Sequence, residues 1–204
     1  MQKKTKKTLM IIIGIICASL GSLFAVHVVA NKFNFFINNT PSMALGIYKM
    51  TGSPVEHGSI IAFCPPPSAV TYSHKWHPEE KDDPVRCPTG GVMYVKYAMG
   101  LPGDNVTLTK EGVRINNGSV LLGSQPLERV GYNKSIHLMP DLIGKTWHLK
   151  KNQFWAYTPQ WYSFDSRYYG PIDHIETARE IFVYKESPQS TMPPSVRKIQ
   201  VYRS

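Results

Sequence analysis

The sequence predicts a mainly β, antiparallel domain behind one N-terminal transmembrane helix. Three observations predict it. Leu9 to Ala30 is a run of 22 residues without a formal charge, and Lys3, Lys4, Lys6 and Lys7 directly precede it. Beyond residue 40, short runs rich in Val, Ile, Tyr and Phe alternate with Gly, Asn and Pro turns. No stretch in that part sustains the 3.6-residue period of an amphipathic helix.

The first element is the apolar run, long enough for a membrane helix. The basic residues before it keep that end in the cytoplasm and send the rest across. The chain then divides into a basic cytoplasmic tail over 1–8, a transmembrane helix over 9–30 and an extracytoplasmic domain over 31–204. The alternative is a cleaved secretory signal, with Val28-Val29-Ala30 as a small-residue cleavage site. Signal cores run about 7–15 residues, and this one is longer, which favours a retained anchor. Both readings put residues 31–204 outside the cytoplasm. His27 falls at the outer boundary.

Residues 31–40 read as an aromatic-polar connector. Strands are expected over Leu45–Lys49, Gly58–Phe63, Gly91–Met99, Asn105–Thr109, Gly112–Ile115 and Ser119–Leu122, with later ones at Phe154–Tyr157 and Ile181–Tyr184. The Asn116-Asn117-Gly118 step is a hairpin signal. The tail from Glu186 to Val196 is rich in Ser and Pro. No internal repeat is present.

Composition narrows the function. The net charge is +9, of which the four N-terminal lysines carry four, and no acid precedes Glu56. The remaining charge is spread without a basic stripe interleaved with aromatics, which argues against nucleic-acid binding. Cys17 lies in the apolar run as a small hydrophobe. Cys64 and Cys87 fall in an oxidising compartment, where thiols pair, and a disulfide would close the base of the polar segment between them, read as a solvated loop. A metal site built from Cys64, His74, His77 and Cys87 matches no standard zinc spacing. No metal and no cofactor are expected.

The chemistry concentrates in three segments. Ser42 follows Pro41, which fixes its own φ and biases Thr40 toward an extended backbone. Ser42 alone is an ordinary loop serine, yet Met43 and the apolar Leu45-Gly46-Ile47-Tyr48 suggest a buried, positioned turn. Lys96 sits in the run from Tyr94 to Met99, on the strand face that also carries Val92, Tyr94 and Ala98. It is either an edge residue whose amine reaches water or a buried amine. Leu101-Pro102-Gly103-Asp104 then makes a tight turn, with Asp104 as a turn-former. In the third segment, Trp161 to Pro171, Ser163, Asp165 and Arg167 lie among aromatics. Asp165 and Arg167 are placed to make a partly buried ion pair that shapes the loop.

These segments, in this order behind an anchor, resemble the type I signal peptidase family. Its pattern is a Ser-Met nucleophile box, a Gly-x-Ile/Val-Val-x-Phe strand, a lysine strand ending Gly-Leu-Pro-Gly-Asp, and a late Ser-x-Asp-Ser-Arg-Tyr-x-Gly box. Here they read Pro41-Ser42-Met43, Gly58 to Phe63, Lys96 to Asp104, and Ser163 to Gly170. The resemblance covers residues 9 to about 184. Two departures from housekeeping members stand out. Tyr157-Thr158-Pro159-Gln160 replaces the usual Gly-Asp-Asn-Arg, and Tyr97 follows the lysine in place of Arg. With the Cys64/Cys87 pair, these look more like the TraF-type peptidases of conjugative plasmids, which mature pilin precursors for a type IV secretion channel and in some cases join the pilin ends.

The resemblance implies a signal-peptidase-like catalytic domain, single-pass in the bacterial inner membrane and facing the periplasm. It implies Ser42 as nucleophile and neutral Lys96 as general base. The Ser42 N–H and the Thr40 hydroxyl would form the oxyanion hole, Thr40 standing where a serine is common. Ser163 would orient the Lys96 amine, and Asp165 and Arg167 would hold the late loop. The substrate would be a pilin-type or other signal-peptide-bearing precursor with small residues at the first and third positions before the cut. A general signal peptidase for secreted proteins is the same-class alternative. A non-catalytic anchored assembly protein of the secretion channel is the alternative of another class, and the joint presence of Ser42 and Lys96 argues against it.

Overall fold

A computed structural model of the chain describes residues 2–32, 34–70, 87, 92–126, 129–130, 136–137, 142–160 and 163–185. The chain divides into two units, Met1–Phe36 and Ile37–Ser204. The first is dominated by one helix, α1 (Gln2–Lys32). Its window Thr8–Ala25 is long and apolar enough to cross a membrane, with a mean hydropathy of 2.3. The polar side chains in that window do not oppose this. Ser19 donates to the Ile15 carbonyl and Ser22 to the Ser19 carbonyl, both at 2.8 Å, so each hydroxyl is satisfied by the helix itself.

Beyond α1 the fold is antiparallel β. The strands are β1 (Phe35–Asn38), β2 (Leu45–Met50), β3 (Ile60–Phe63), β4 (Tyr94–Gly100), β5 (Asn105–Leu108) and β6 (Val113–Ile115). They continue with β7 (Arg129–Val130), β8 (Ile136–His137), β9 (Thr146–His148), β10 (Gln153–Tyr157), β11 (Ile172–Asp173) and β12 (Ile175–Lys185). A seven-stranded sheet runs β1-β2-β12-β3-β4-β10-β11, a three-stranded one β6-β5-β9, and β7 pairs with β8. β12 unifies the large sheet: Ile175–Thr177 pair with β3, and Ala178 to Lys185 pair with β2.

β4 is an interior strand between β3 and β10. Its side chains alternate between two cores. Tyr94 and Ala98 face a cluster with Ile61, Phe63, Ala69, Ala156, Phe164, Tyr168 and Ile172. Met99 faces another, with Val106, Leu108, Val113, Leu149, Trp155 and Tyr157, shared between β5 and β6 of the small sheet and β10 of the large one. With both faces covered, nearly every β4 residue is buried, which excludes the edge-strand reading of Lys96.

The turn after β4 follows from its residues. Pro102 takes the second corner and Gly103 the third at φ 93°, and the Asp104 N–H closes the turn on the Leu101 carbonyl at 3.0 Å. The Asp104 carboxylate accepts from the Leu101 N–H at 2.7 Å, from Asn116 at 2.6 Å and pairs with His57 at 2.8 Å. It is the turn-former that the sequence suggested, and it also ties β3's approach to the β5–β6 hairpin.

Several expectations are corrected. The connector at 31–40 contains strand β1, short but ending in the buried Asn38. Ser119–Leu122 forms no strand, only an isolated bridge from Val120 to Arg114. The tight turn there places Asn116 and Asn117, not the Asn-Gly step, at its two corners with positive φ (49° and 60°). β12 begins six residues before the expected Ile181, because Ile175–Thr177 answer the hydrogen-bonding edge of β3. Cys64 and Cys87 are bonded as expected, with Cα atoms 5.4 Å apart. Closing a loop of this length stabilises by about 3 kcal/mol in the chain-entropy model. The segment behind Cys64 is not solvated throughout, since Ala69 and Val70 are buried, Ala69 within the Phe63 cluster. His74, His77 and the tail 186–196 lie outside the described residues.

Burial alone would raise the Asp104 pKa, but its bonds from Leu101 and Asn116 and the His57 contact outweigh that and hold it below the usual value. A depressed folded pKa stabilises above the unfolded value, about 3.9, and that stabilisation is lost as pH falls through the folded value. Thermal melts should show Asp104→Asn less stable than the parent at neutral pH, with the gap narrowing as pH falls below the usual carboxylate value of about 3.9. A gap independent of pH would contradict this.

Candidate active site

The segment between β1 and β2 is a built turn. The Met43 N–H reaches the Thr40 carbonyl at 3.5 Å, with Pro41 and Ser42 at the corners. Proline suits the first of these corners because its φ is fixed in advance. Asn38, at the end of β1, clamps the segment from inside. Its Oδ1 accepts from Thr40 N at 3.2 Å and Thr40 Oγ1 at 2.7 Å, and its Nδ2 donates to the carbonyls of Thr40 at 3.1 Å and Ala44 at 2.9 Å. The Tyr48 hydroxyl donates to the same Ala44 carbonyl at 2.8 Å. Ser42 is therefore held on a buried turn and is itself only 6% exposed.

Lys96 lies at the centre of β4, its Cα opposite Ile61 of β3, and is 4% exposed. Its Nζ donates to Ser42 Oγ at 2.5 Å. Two groups 54 residues apart in sequence thus meet inside the protein as a hydroxyl–amine pair. The Tyr94 ring, two residues back on the same face, lies with its centroid 5.8 Å from the amine.

The late segment is organised by one ion pair. Asp165 caps the one-turn helix Ser166–Tyr169 by accepting from Arg167 N at 3.2 Å. The Arg167 guanidinium returns to the same carboxylate through Nε at 2.8 Å and Nη2 at 2.9 Å. Nη2 also donates to the carbonyls of Gln160 and Ser163, both at 2.9 Å, and Nη1 to that of Gly123 at 3.2 Å. Both side chains are fully buried, more deeply than the sequence suggested. Burial disfavours the guanidinium, but Asp165 more than restores it, so Arg167 stays charged at any working pH. Burial pushes the Tyr157 and Tyr169 phenols well above their usual range, so neither can act as a base.

The sequence also has matches among known proteins. The family model described as signal peptidase, peptidase S26, matches residues 3–183. The chain belongs to that family. Two Escherichia coli relatives of this signal peptidase homologue, each named plasmid transfer protein TraF, were found. One is 28% identical over 156 residues and the other 30% over 142, and each match covers 69% of this chain and 76% of the relative.

Of the site residues read from sequence, the structure brings Ser42 to Lys96 and Asp165 to Arg167. It does not join Ser163 to the lysine: Ser163 is buried, and its Oγ has no hydrogen-bond partner among the described residues. The Thr40 hydroxyl is turned to Asn38. Three contributors escaped the sequence reading. Asn38 clamps the serine turn. Thr158 donates to Asp165 from its N–H at 3.3 Å and reaches Met43 Sδ from its hydroxyl at 3.8 Å, so it links the late segment to the residue after Ser42. Ser166 Oγ accepts from Ala156 N at 3.0 Å, where the register of β10 against β4 shifts. The Asn38-x-Thr40 spacing was the available signal for the first, because Asn readily bonds to backbone two residues on.

Removing one partner of a buried, hydrogen-bonded ion pair strands the other charge. Arg167→Ala should therefore destabilise the domain by about 3–5 kcal/mol, read as a lowered midpoint in urea. Arg167→Lys should recover little, since lysine cannot reproduce the fork. A parental midpoint in the alanine variant would contradict the role given to this pair.

Proposed function

We propose that the chain is a membrane-anchored serine endopeptidase of conjugative transfer, cutting a pilin-type precursor at the outer face of the bacterial inner membrane. The single observation that carries the reading is the buried contact of 2.5 Å between Ser42 Oγ and Lys96 Nζ. The names of the plasmid transfer relatives support the conjugative role. The apolar helix with its lysine-rich start supports a single-pass anchor and an outward-facing domain over residues 31–204.

Serine is a weak nucleophile until a base takes its proton. Neutral Lys96 removes the Ser42 proton as Oγ forms a bond to the scissile carbonyl carbon. The carbonyl electrons move to oxygen, and the oxyanion is met by the Ser42 N–H and the Thr40 hydroxyl. Such donors are each worth about 3–4 kcal/mol to the transition state. When the C–N bond breaks, Lys96 returns the proton to the leaving amine. The acyl-enzyme is then opened by water, or by an amine if the pilin ends are joined. In the second case a new amide forms and no water is consumed. Ser163, buried with a spare hydroxyl, would orient the lysine amine. The precursor would lie extended, its small side chains at the first and third positions before the cut.

Ser42→Ala and Lys96→Ala should each abolish processing of a pilin-type precursor in cells while leaving the domain folded. The double variant should be hardly worse than either single one, because partners in one step are non-additive. Full processing by either variant would rule out this mechanism. In cells depleted of their own signal peptidase, the protein should not restore general export. Restored processing of unrelated secretory precursors would favour a housekeeping peptidase.

A further inference from the structure

Asn38 is 4% exposed. A carboxamide offers two N–H donors and two acceptor sites, and here all four are engaged, three of them with Thr40. The fourth, from Nδ2 to the Ala44 carbonyl, crosses the neck of the segment that carries Ser42. The Thr40 carbonyl belongs to both clamp and turn, since Met43 N also reaches it. One planar group thus fixes the turn at both ends. It also takes the proton of the one side-chain hydroxyl placed two residues before the serine, at 2.7 Å.

That last bond matters for chemistry. A hydroxyl has a single proton to donate. While the Thr40 proton points at Asn38 Oδ1, Thr40 offers only lone pairs elsewhere and cannot donate to an oxyanion. We propose that Asn38 is a positioning residue for acylation: it holds the Ser42 turn against Lys96 and parks the Thr40 hydroxyl, which turns from Asn38 to the oxyanion as charge develops. The exchange is one hydrogen bond for another, with no net proton transfer. It runs in the required direction because a hydrogen bond to an ionised oxygen is about twice as strong as one between neutral groups. The Thr40 bond is then gained in the transition state and not with bound substrate, which is the condition for raising kcat. The inference rests on Ser42 and Lys96 acting as nucleophile and base.

The test uses the full-length chain in detergent micelles and an internally quenched peptide with alanine at the first and third positions before the cut. Asn38→Ala should lower kcat by roughly a hundredfold, as displaced reacting groups do, with KM near the parent's and a cooperative melt retained. Asn39→Ala, an exposed neighbour, should behave as the parent. In a Thr40→Val background, Asn38→Ala should cost clearly less than in the parent, since part of its effect passes through the hydroxyl. If Asn38→Ala does not fold, Asn38→Asp carries the test. It keeps both acceptors for Thr40 and loses the donors across the neck, so kcat should still fall. Parental kcat in the folded Asn38 variant, or a cost fully additive with Thr40→Val, overturns the inference. If Ser42→Ala or Lys96→Ala is active, the dyad reading fails first. If both are dead while Asn38→Ala is parental, this inference alone fails.

Discussion

Keeping an amine out of water at the centre of a sheet is the constraint around which this domain is arranged. Lys96 is 4% exposed on an interior strand covered on both faces. Full desolvation disfavours an ammonium by about 4–7 kcal/mol. The Tyr94 ring near it works in the opposite direction, favouring the cation by about 0.5–2 kcal/mol. Deep burial is the means by which a lysine amine can be kept neutral near physiological pH. A buried amine needs hydrogen-bond partners, and the Ser42 hydroxyl is one. Burial of the lysine thus goes with a hydroxyl placed beside it.

Two segments far apart in sequence keep that pair in register. The serine turn is fixed by Asn38 and by the Tyr48 hydroxyl, both acting on the Ala44 carbonyl. The late segment is fixed by Asp165 and Arg167, whose guanidinium gathers the carbonyls of residues 123, 125, 160 and 163. Thr158 joins the two regions through Asp165 and Met43. A buried ion pair is a poor source of net stability compared with an apolar core of equal volume. Here its contribution is geometric: with both side chains fully buried, the loop has few other ways to satisfy its carbonyls.

Much of this was legible in the sequence. The apolar run, the strand-and-turn rhythm and the Leu-Pro-Gly-Asp corner are local patterns whose physics acts over a few residues. Ser42 and Lys96 were legible as a pair only through the order of motifs, because nothing in either segment alone separates a buried lysine from an edge one. What stayed hidden depends on long-range pairing. β12 extends to Ile175 because β3 lies beside it. Ser119–Leu122 has strand-forming residues but makes only one bridge. The depth of the Asp165–Arg167 pair depends on aromatic neighbours from other elements, Tyr157 on β10 among them. Asn38 was passed over as connector because its partners, Thr40 and Ala44, make it a clamp only once the turn has formed.

The protonation of a single atom, Lys96 Nζ, can be followed directly. In full-length protein carrying isotope-labelled lysine, with Lys96→Arg used to assign the signal, the Lys96 side chain should be titrated by nuclear magnetic resonance. A lysine that serves as the base should lose its proton well below the ordinary lysine value of about 10.4. Ser42→Ala, which removes a hydroxyl partner, should alter that titration. A Lys96 signal that titrates with the surface lysines, and ignores Ser42, would contradict the claim that burial has made this amine a base.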